Sequence, residues 1–117
     1  MATLKPQDTD LCRSRGDTEP LVITIKKDGT AIDVSGWSFK FTVDPSSDPT
    51  VDTANLFQLT GTFVTDGTDG QVQFSPSAVQ MDITPDIYFY DIERTDGAGK
   101  IRTIMSGQFE VLQDITK

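Results

Sequence analysis

The sequence predicts an all-β fold: a single immunoglobulin-like β-sandwich of seven to eight antiparallel strands, with at most one short helix near residues 76–80. Three observations predict it. Apolar residues recur at every second position in short runs. Trp37, Phe39, Phe41 and Val43 alternate with Ser38, Lys40 and Thr42, the period of a strand with one buried face. Asp-Gly pairs punctuate the runs at residues 28–29, 66–67, 69–70 and 96–97, because Asp and Gly supply the backbone geometry of tight turns. No stretch carries a helical period of useful length.

The elements follow in order. Residues 1–18 read as a polar leader or arm, with a short edge strand at Leu11–Ser14, and residues 19–117 as the sandwich domain. Pro20 opens a strand over residues 21–26, a position where the missing N–H is tolerated. A turn at Asp28-Gly29 leads to a short run over 31–34, and Ser35-Gly36 turns the chain into the aromatic strand 37–43. Residues 44–53 hold prolines, serines and aspartates around a lone Val51 and read as the longest and most mobile loop. One long strand is expected over 55–65, with Gly61 marking a bulge or a close approach. The tract 65–70 is a hairpin loop into strand 71–75, and Ser75-Pro76 starts the one candidate helical turn. Strands over 87–94, 101–105 and 107–113 complete the domain.

At 117 residues the chain is the size of one domain with a single core. The lone cysteine, Cys12, cannot form an internal disulfide, which fits folding in a reducing compartment. No apolar stretch reaches the length of a membrane span, and the polar N-terminus is not a secretory signal. The chain is expected to fold in a cytoplasm or to leave it by a route other than general secretion. Its net charge of −8 repels phosphate, so neither nucleic acid nor an anionic membrane is expected as a partner.

The sequence contains no histidine, which removes the commonest general base, the usual partner of a Ser or Cys nucleophile and the best zinc ligand. Cys12 therefore reads as an edge residue rather than a nucleophile. Asp91 and Glu93 share one strand face, a solvated face rather than a hydrolytic pair. Asp66, Asp69 and Asp96 stand in turns without the spaced carboxylates and terminal Glu of a calcium loop. Gly97-Ala98-Gly99-Lys100 departs from a phosphate loop, with Arg94 where Gly is needed and Ile101 where Ser or Thr is needed. Arg15-Gly16-Asp17, an integrin-type tripeptide, reads as a Gly-centred bend into the first strand. Trp37, Tyr88 and Tyr90 share the phase of core residues. Core packing is the expectation for them, with sugar stacking in a carbohydrate-binding module as the alternative. No enzyme activity, catalytic residue, cofactor or metal ligand is expected.

Five segments in one order resemble a family of small tailed-phage structural domains, the N-terminal domain of baseplate upper proteins and related tail or head accessory proteins. They are Arg15-Gly16-Asp17-Thr18 with residues 21–25; residues 32–37 with Phe39 to Val43; residues 70–74; residues 88–93; and residues 101–104 with 107–111. The family usually has Gly in the turn before its Tyr-x-Tyr strand, whereas this chain has Pro85-Asp86-Ile87. The resemblance implies an immunoglobulin-like domain in a virion and a non-enzymatic role as adaptor or docking subunit of tail, baseplate or connector. A capsid decoration or minor head protein is the alternative in the same context. The implied partners are other virion proteins and copies of the chain itself, assembled in the host cytoplasm. Because the chain ends at Lys117 without a receptor-binding segment, it is expected to be a stand-alone module. Docking is expected through the N-terminal arm, with Leu4, Leu11, Cys12, Arg13 and Arg15 as its contact residues.

Overall fold

A computed structural model describes residues 7–45 and 56–115. Two sheets face each other. The larger has six strands in the order β1-β11-β10-β6-β7, with β2 also on β11, and the smaller has three in the order β3-β9-β8. The strands of the larger sheet are β1 (Gln7–Asp8), β2 (Leu11–Ser14), β6 (Ser38–Asp44), β7 (Phe57–Thr60), β10 (Asp86–Thr95) and β11 (Ile101–Leu112). The smaller sheet holds β3 (Leu21–Thr24), β8 (Thr62–Phe63) and β9 (Gln71–Phe74). A separate hairpin joins β4 (Lys26–Lys27) to β5 (Thr30–Ala31). The chain crosses between sheets at β2–β3, from β3 through the β4–β5 hairpin to β6, at β7–β8 and at β9–β10, the connectivity of an immunoglobulin-like sandwich.

Alternation produces the core. In β6 Phe39, Phe41 and Val43 are buried while Ser38 and Lys40 are exposed. Phe41 stacks on Tyr90 of β10 at 5.3 Å, meets Phe74 of the smaller sheet at 5.5 Å and takes the edge of Phe109 at 6.0 Å. Phe57 continues the cluster edge-on to Phe109 at 6.4 Å. Each fully buried side chain of this size contributes about 1.5–3 kcal/mol.

Several boundaries differ from the sequence expectation. The run 55–65 is two strands in different sheets, because at Gly61 the backbone leaves β7 and donates to the Phe39 carbonyl at 2.8 Å. A Cβ there would lie 2.8 Å from Phe39 Cβ and 2.9 Å from Val72 Cγ1, so only glycine lets the chain switch sheets this close to the core. Residues 101–112 are one strand rather than two. It is irregular where Ile92 pairs Met105 and Glu93 pairs Thr103, leaving Ile104 as the extra residue of a bulge. The run 21–26 ends as a strand at Thr24, and Lys26 belongs to the β4–β5 hairpin. That hairpin turns through Asp28 (φ 53°) and Gly29 (φ 79°), the two left-handed residues of a type I′ turn.

Not every strand runs antiparallel, since β1 and β2 pair parallel with β11. Residues 77–82 form one capped turn and no helix. Ser77 and Gln80 each accept the other's N–H through their side chains, at 3.1 and 2.9 Å, a reciprocal capping box closed by Met81 N–H on Ser77 O. The cap is thus Ser77 rather than Ser75. Trp37 precedes β6 and is half-buried rather than buried. Most of the expected 44–53 loop and the start of the 55–65 run lie outside the described residues.

Gly61→Ala is expected to lower stability by about 1–3 kcal/mol in urea denaturation, because Phe39 and Val72 cannot yield. Gly97→Ala, with nothing within 4 Å of its Cβ position, is expected to stay within about 0.5 kcal/mol of wild type.

Candidate functional site

The surface features with chemistry lie along the seam where residues 7–17 join the larger sheet. Between β1 and β2 the chain breaks at Thr9-Asp10 and is held by three contacts. Thr9 N–H donates to Ser106 O at 2.9 Å, the Asp10 carboxylate accepts Gln108 N–H at 3.0 Å, and the Tyr90 hydroxyl donates to the Thr9 carbonyl. A Cβ at Gly107 would stand 2.3 Å from that carbonyl oxygen, so the break fits only against glycine. None of Thr9, Asp10 and Gly107 is among the expected site residues, since from sequence Gly107 opens a separate strand and only the continuous strand 101–112 makes it an interior glycine at a close backbone approach.

Leu11 packs against the core from β2, and Cys12 points outward beside Glu110, its sulfur 4.0 Å from a carboxylate oxygen. Arg13 donates to the Cys12 carbonyl at 3.2 Å. Arg15 turns the other way and binds Asp82 at 2.8 Å, while Gly16 N–H donates to Met81 O, fastening the first crossing to the capped turn. Asp17 accepts Glu19 N–H, so the Arg15-Gly16-Asp17 tripeptide is a corner held at both ends. Leu4, the fifth expected contact residue, lies outside the described residues. The structure thus brings Leu11, Cys12 and Arg13 onto one strand and Arg15 onto a corner beyond it.

At the opposite end of β10, the Arg94 guanidinium lies 5.1 Å from the centre of the Trp37 ring and pairs with Asp96 at 3.2 Å. It also donates to Lys100 O at 2.9 Å. This is a cation–π clamp on the β10–β11 loop, and it covers one face of the Trp37 ring. The Tyr88 hydroxyl donates to Thr84 O four residues upstream at 2.5 Å, the tyrosine corner of immunoglobulin-like sandwiches. Burial, with Asp86 nearby, raises its pKa.

The acidic candidates act in turns. The Asp96 carboxylate is held below the usual range mainly by Lys100 N–H, with Ala98 N–H and Arg94 adding to it. The Thr68 hydroxyl and N–H lower Asp66, and Ser35 N–H lowers Asp33. Asp69 accepts Gln71 N–H at 3.0 Å. Among the described residues no three His, Cys, Asp or Glu side chains gather as a metal site. Among the same residues no helix is long and apolar enough to cross a membrane. Asp91 differs from the turn acids: half-buried on the outer face of β10, its pKa is raised by lost hydration first and by Glu93 second.

No family model and no curated protein matches the chain. Solved structures of similar shape include CopC from Methylosinus trichosporium OB3b, 10% identical at a TM-score of 0.49 over 97% of this chain and 90% of that one. The N-terminal domain of phage TP901-1 ORF48 is 12% identical at 0.49, over 94% and 90%. AggA, the major subunit of aggregative adherence fimbriae type I from Escherichia coli, is 13% identical at 0.36, over 92% and 90%. At these values nothing that those proteins bind or build transfers to this chain.

Two outcomes are expected. A carboxylate whose folded pKa is raised costs stability as pH climbs through that pKa. Asp91→Asn should therefore raise the melting temperature at pH 7, on the order of a degree or two, and lose that advantage at pH 3. Excess chelator or calcium should move the wild-type melting temperature by no more than about 1 °C, since a ligand of the native state would raise it.

Proposed function

We propose that this chain is a non-enzymatic structural component of a tailed-phage virion, an adaptor or docking subunit of the tail, baseplate or connector. One observation supports the reading above the rest: the five sequence segments that resemble the phage domains fall, in order, on the framework of one sandwich. The first makes the Arg15-Gly16 corner and β3, and the second the entry to β6 and β6 itself. The third is β9, and the last two are β10 and β11. Asp33, Asp66, Asp69 and Asp96 are occupied in holding turns, which suits a scaffold whose work is contact. Docking falls to strand edges and to the N-terminal seam, where Cys12 faces outward and Arg13 supplies positive charge on an acidic chain, the charge of Arg15 being paired with Asp82. The partners are other virion proteins and further copies of the chain.

The test is electron microscopy of intact particles carrying a gold-labelled tag on this protein. Label confined to the tail, baseplate or connector at fixed copy number is expected. Label spread over the capsid shell would favour the decoration reading, and particles without label would end the virion reading altogether.

A further inference from the structure

We infer that the free edge of β3 pairs with β3 of a second copy, antiparallel across a two-fold axis, joining the two smaller sheets into one of six strands. The first ground is the direction of the backbone groups. Ile25 N–H donates to Gly70 O at 2.8 Å, and the register of β3 on β9 is Leu21 with Phe74, Val22 with Gln73, Ile23 with Val72 and Thr24 with Gln71. Hydrogen-bonded pairs alternate in an antiparallel ladder, so Leu21 and Ile23 bond to β9, as Ile25 does. The N–H and C=O groups of Val22 and Thr24 therefore point away from it. No described residue bonds to that side, because β3 is the last strand of its sheet.

The second ground is that this edge carries none of the usual protections. Edge strands are commonly blunted by proline, lysine, a bulge or extreme shortness. β1 and β2 are interrupted at Thr9-Asp10, and β8 has two residues. β3 is the regular segment Leu-Val-Ile-Thr, with Val22 51% exposed and Pro20 and Lys26 only beyond its ends.

The third ground selects the occupant. Two-fold antiparallel pairing centred on Ile23 sets Val22 opposite Thr24 of the second copy, with their outward groups bonding reciprocally. Continued outward, the same register brings the Glu19 end of one edge to the Lys26-Lys27 end of the other, twice by symmetry. The edge is thus complementary to itself in charge as well as in backbone. A four-residue contact buries far less than the roughly 1,200–2,000 Å² of a stable interface. The free protein should accordingly dimerise weakly, with a Kd between about 10 μM and 1 mM, and more firmly where copies are held side by side.

The experiment is sedimentation equilibrium of the full chain in reducing buffer, so that Cys12 cannot cross-link, over the same concentration range. Val22→Pro removes an outward N–H and leaves the β9 ladder whole. It should weaken dimerisation at least tenfold with an unchanged circular dichroism spectrum. Glu19→Lys should weaken it several-fold, and Glu19→Lys combined with Lys27→Glu should restore it. If Val22→Pro fails to fold, the charge exchange decides alone. A wild-type protein monomeric at 1 mM overturns the inference, as does a dimer indifferent to Val22→Pro or a double exchange that does not restore association. The pairing goes beyond the virion role and is separable from it, since solution dimers can form whether or not label appears in particles.

Discussion

The fold depends on contact between sheets of unequal width, six strands against three, and Phe41 sits at its centre. Its ring touches Tyr90 beside it in the same sheet, Phe109 one strand further on, and Phe74 across the gap. Removing such a side chain costs about 3–5 kcal/mol in a close-packed core, a large part of the stability of a domain this size. The requirement propagates outward. Phe41 can reach Phe74 only if β6 holds its register on β10, which sets Phe41 opposite Ile92 and Val43 opposite Tyr90. A slip of one residue would turn all three apolar side chains of β6 to solvent.

Two tyrosines extend that core to the chain's irregular parts. Tyr88 and Tyr90 stand two apart on β10, both rings buried, and each hydroxyl finds a backbone carbonyl in a segment without regular structure. Tyr88 holds Thr84 at the turn into its own strand. Tyr90 holds Thr9, some eighty residues away in sequence, at the break between β1 and β2. A buried hydroxyl without a partner would cost about 1–3 kcal/mol, so these bonds are conditions of burying the rings as well as anchors for loops. Among the described residues no buried side-chain nitrogen or oxygen lacks a partner.

What was legible in the sequence was whatever local periodicity and turn chemistry decide. Alternation gave β6, β9 and β10 nearly to the residue, and Asp-Gly gave the hairpins. What was not legible depends on partners distant in the chain. Nothing near Leu11–Ser14 says that it lies parallel to β11, because its partners Phe109 to Leu112 stand at the far end of the chain and the break before it is fitted to Gly107 and Tyr90. The run 55–65 reads as one strand since its alternation hardly falters, and only the crowding of Phe39, Val72 and Phe74 at Gly61 shows why it divides. Trp37 has the phase of the core, yet it sits just outside β6 and takes Arg94 as cover in place of full burial. Of the contact residues expected in the arm, Leu11 packs its apolar side chain on the chain's own core and Arg15 finds Asp82, contacts that the arm's own sequence does not show.

The acidic balance also changes meaning once the fold is known. Asp17, Asp33, Asp66, Asp69 and Asp96 each accept the N–H of the residue two further on, in Glu19, Ser35, Thr68, Gln71 and Ala98. Five of the 18 acidic residues are therefore the consequence of building a sandwich with many short turns, each closed by a side chain that mimics backbone. Such carboxylates are already coordinated by their own loops and are poor candidates for recruiting a cation or a basic ligand. With these five carboxylates committed to turns and most aromatic rings to the core, the backbone at the sheet edges, with the exposed charges beside it, is what remains free to recognise a partner. A chain organised this way is suited to binding by extending a sheet rather than by enclosing a ligand.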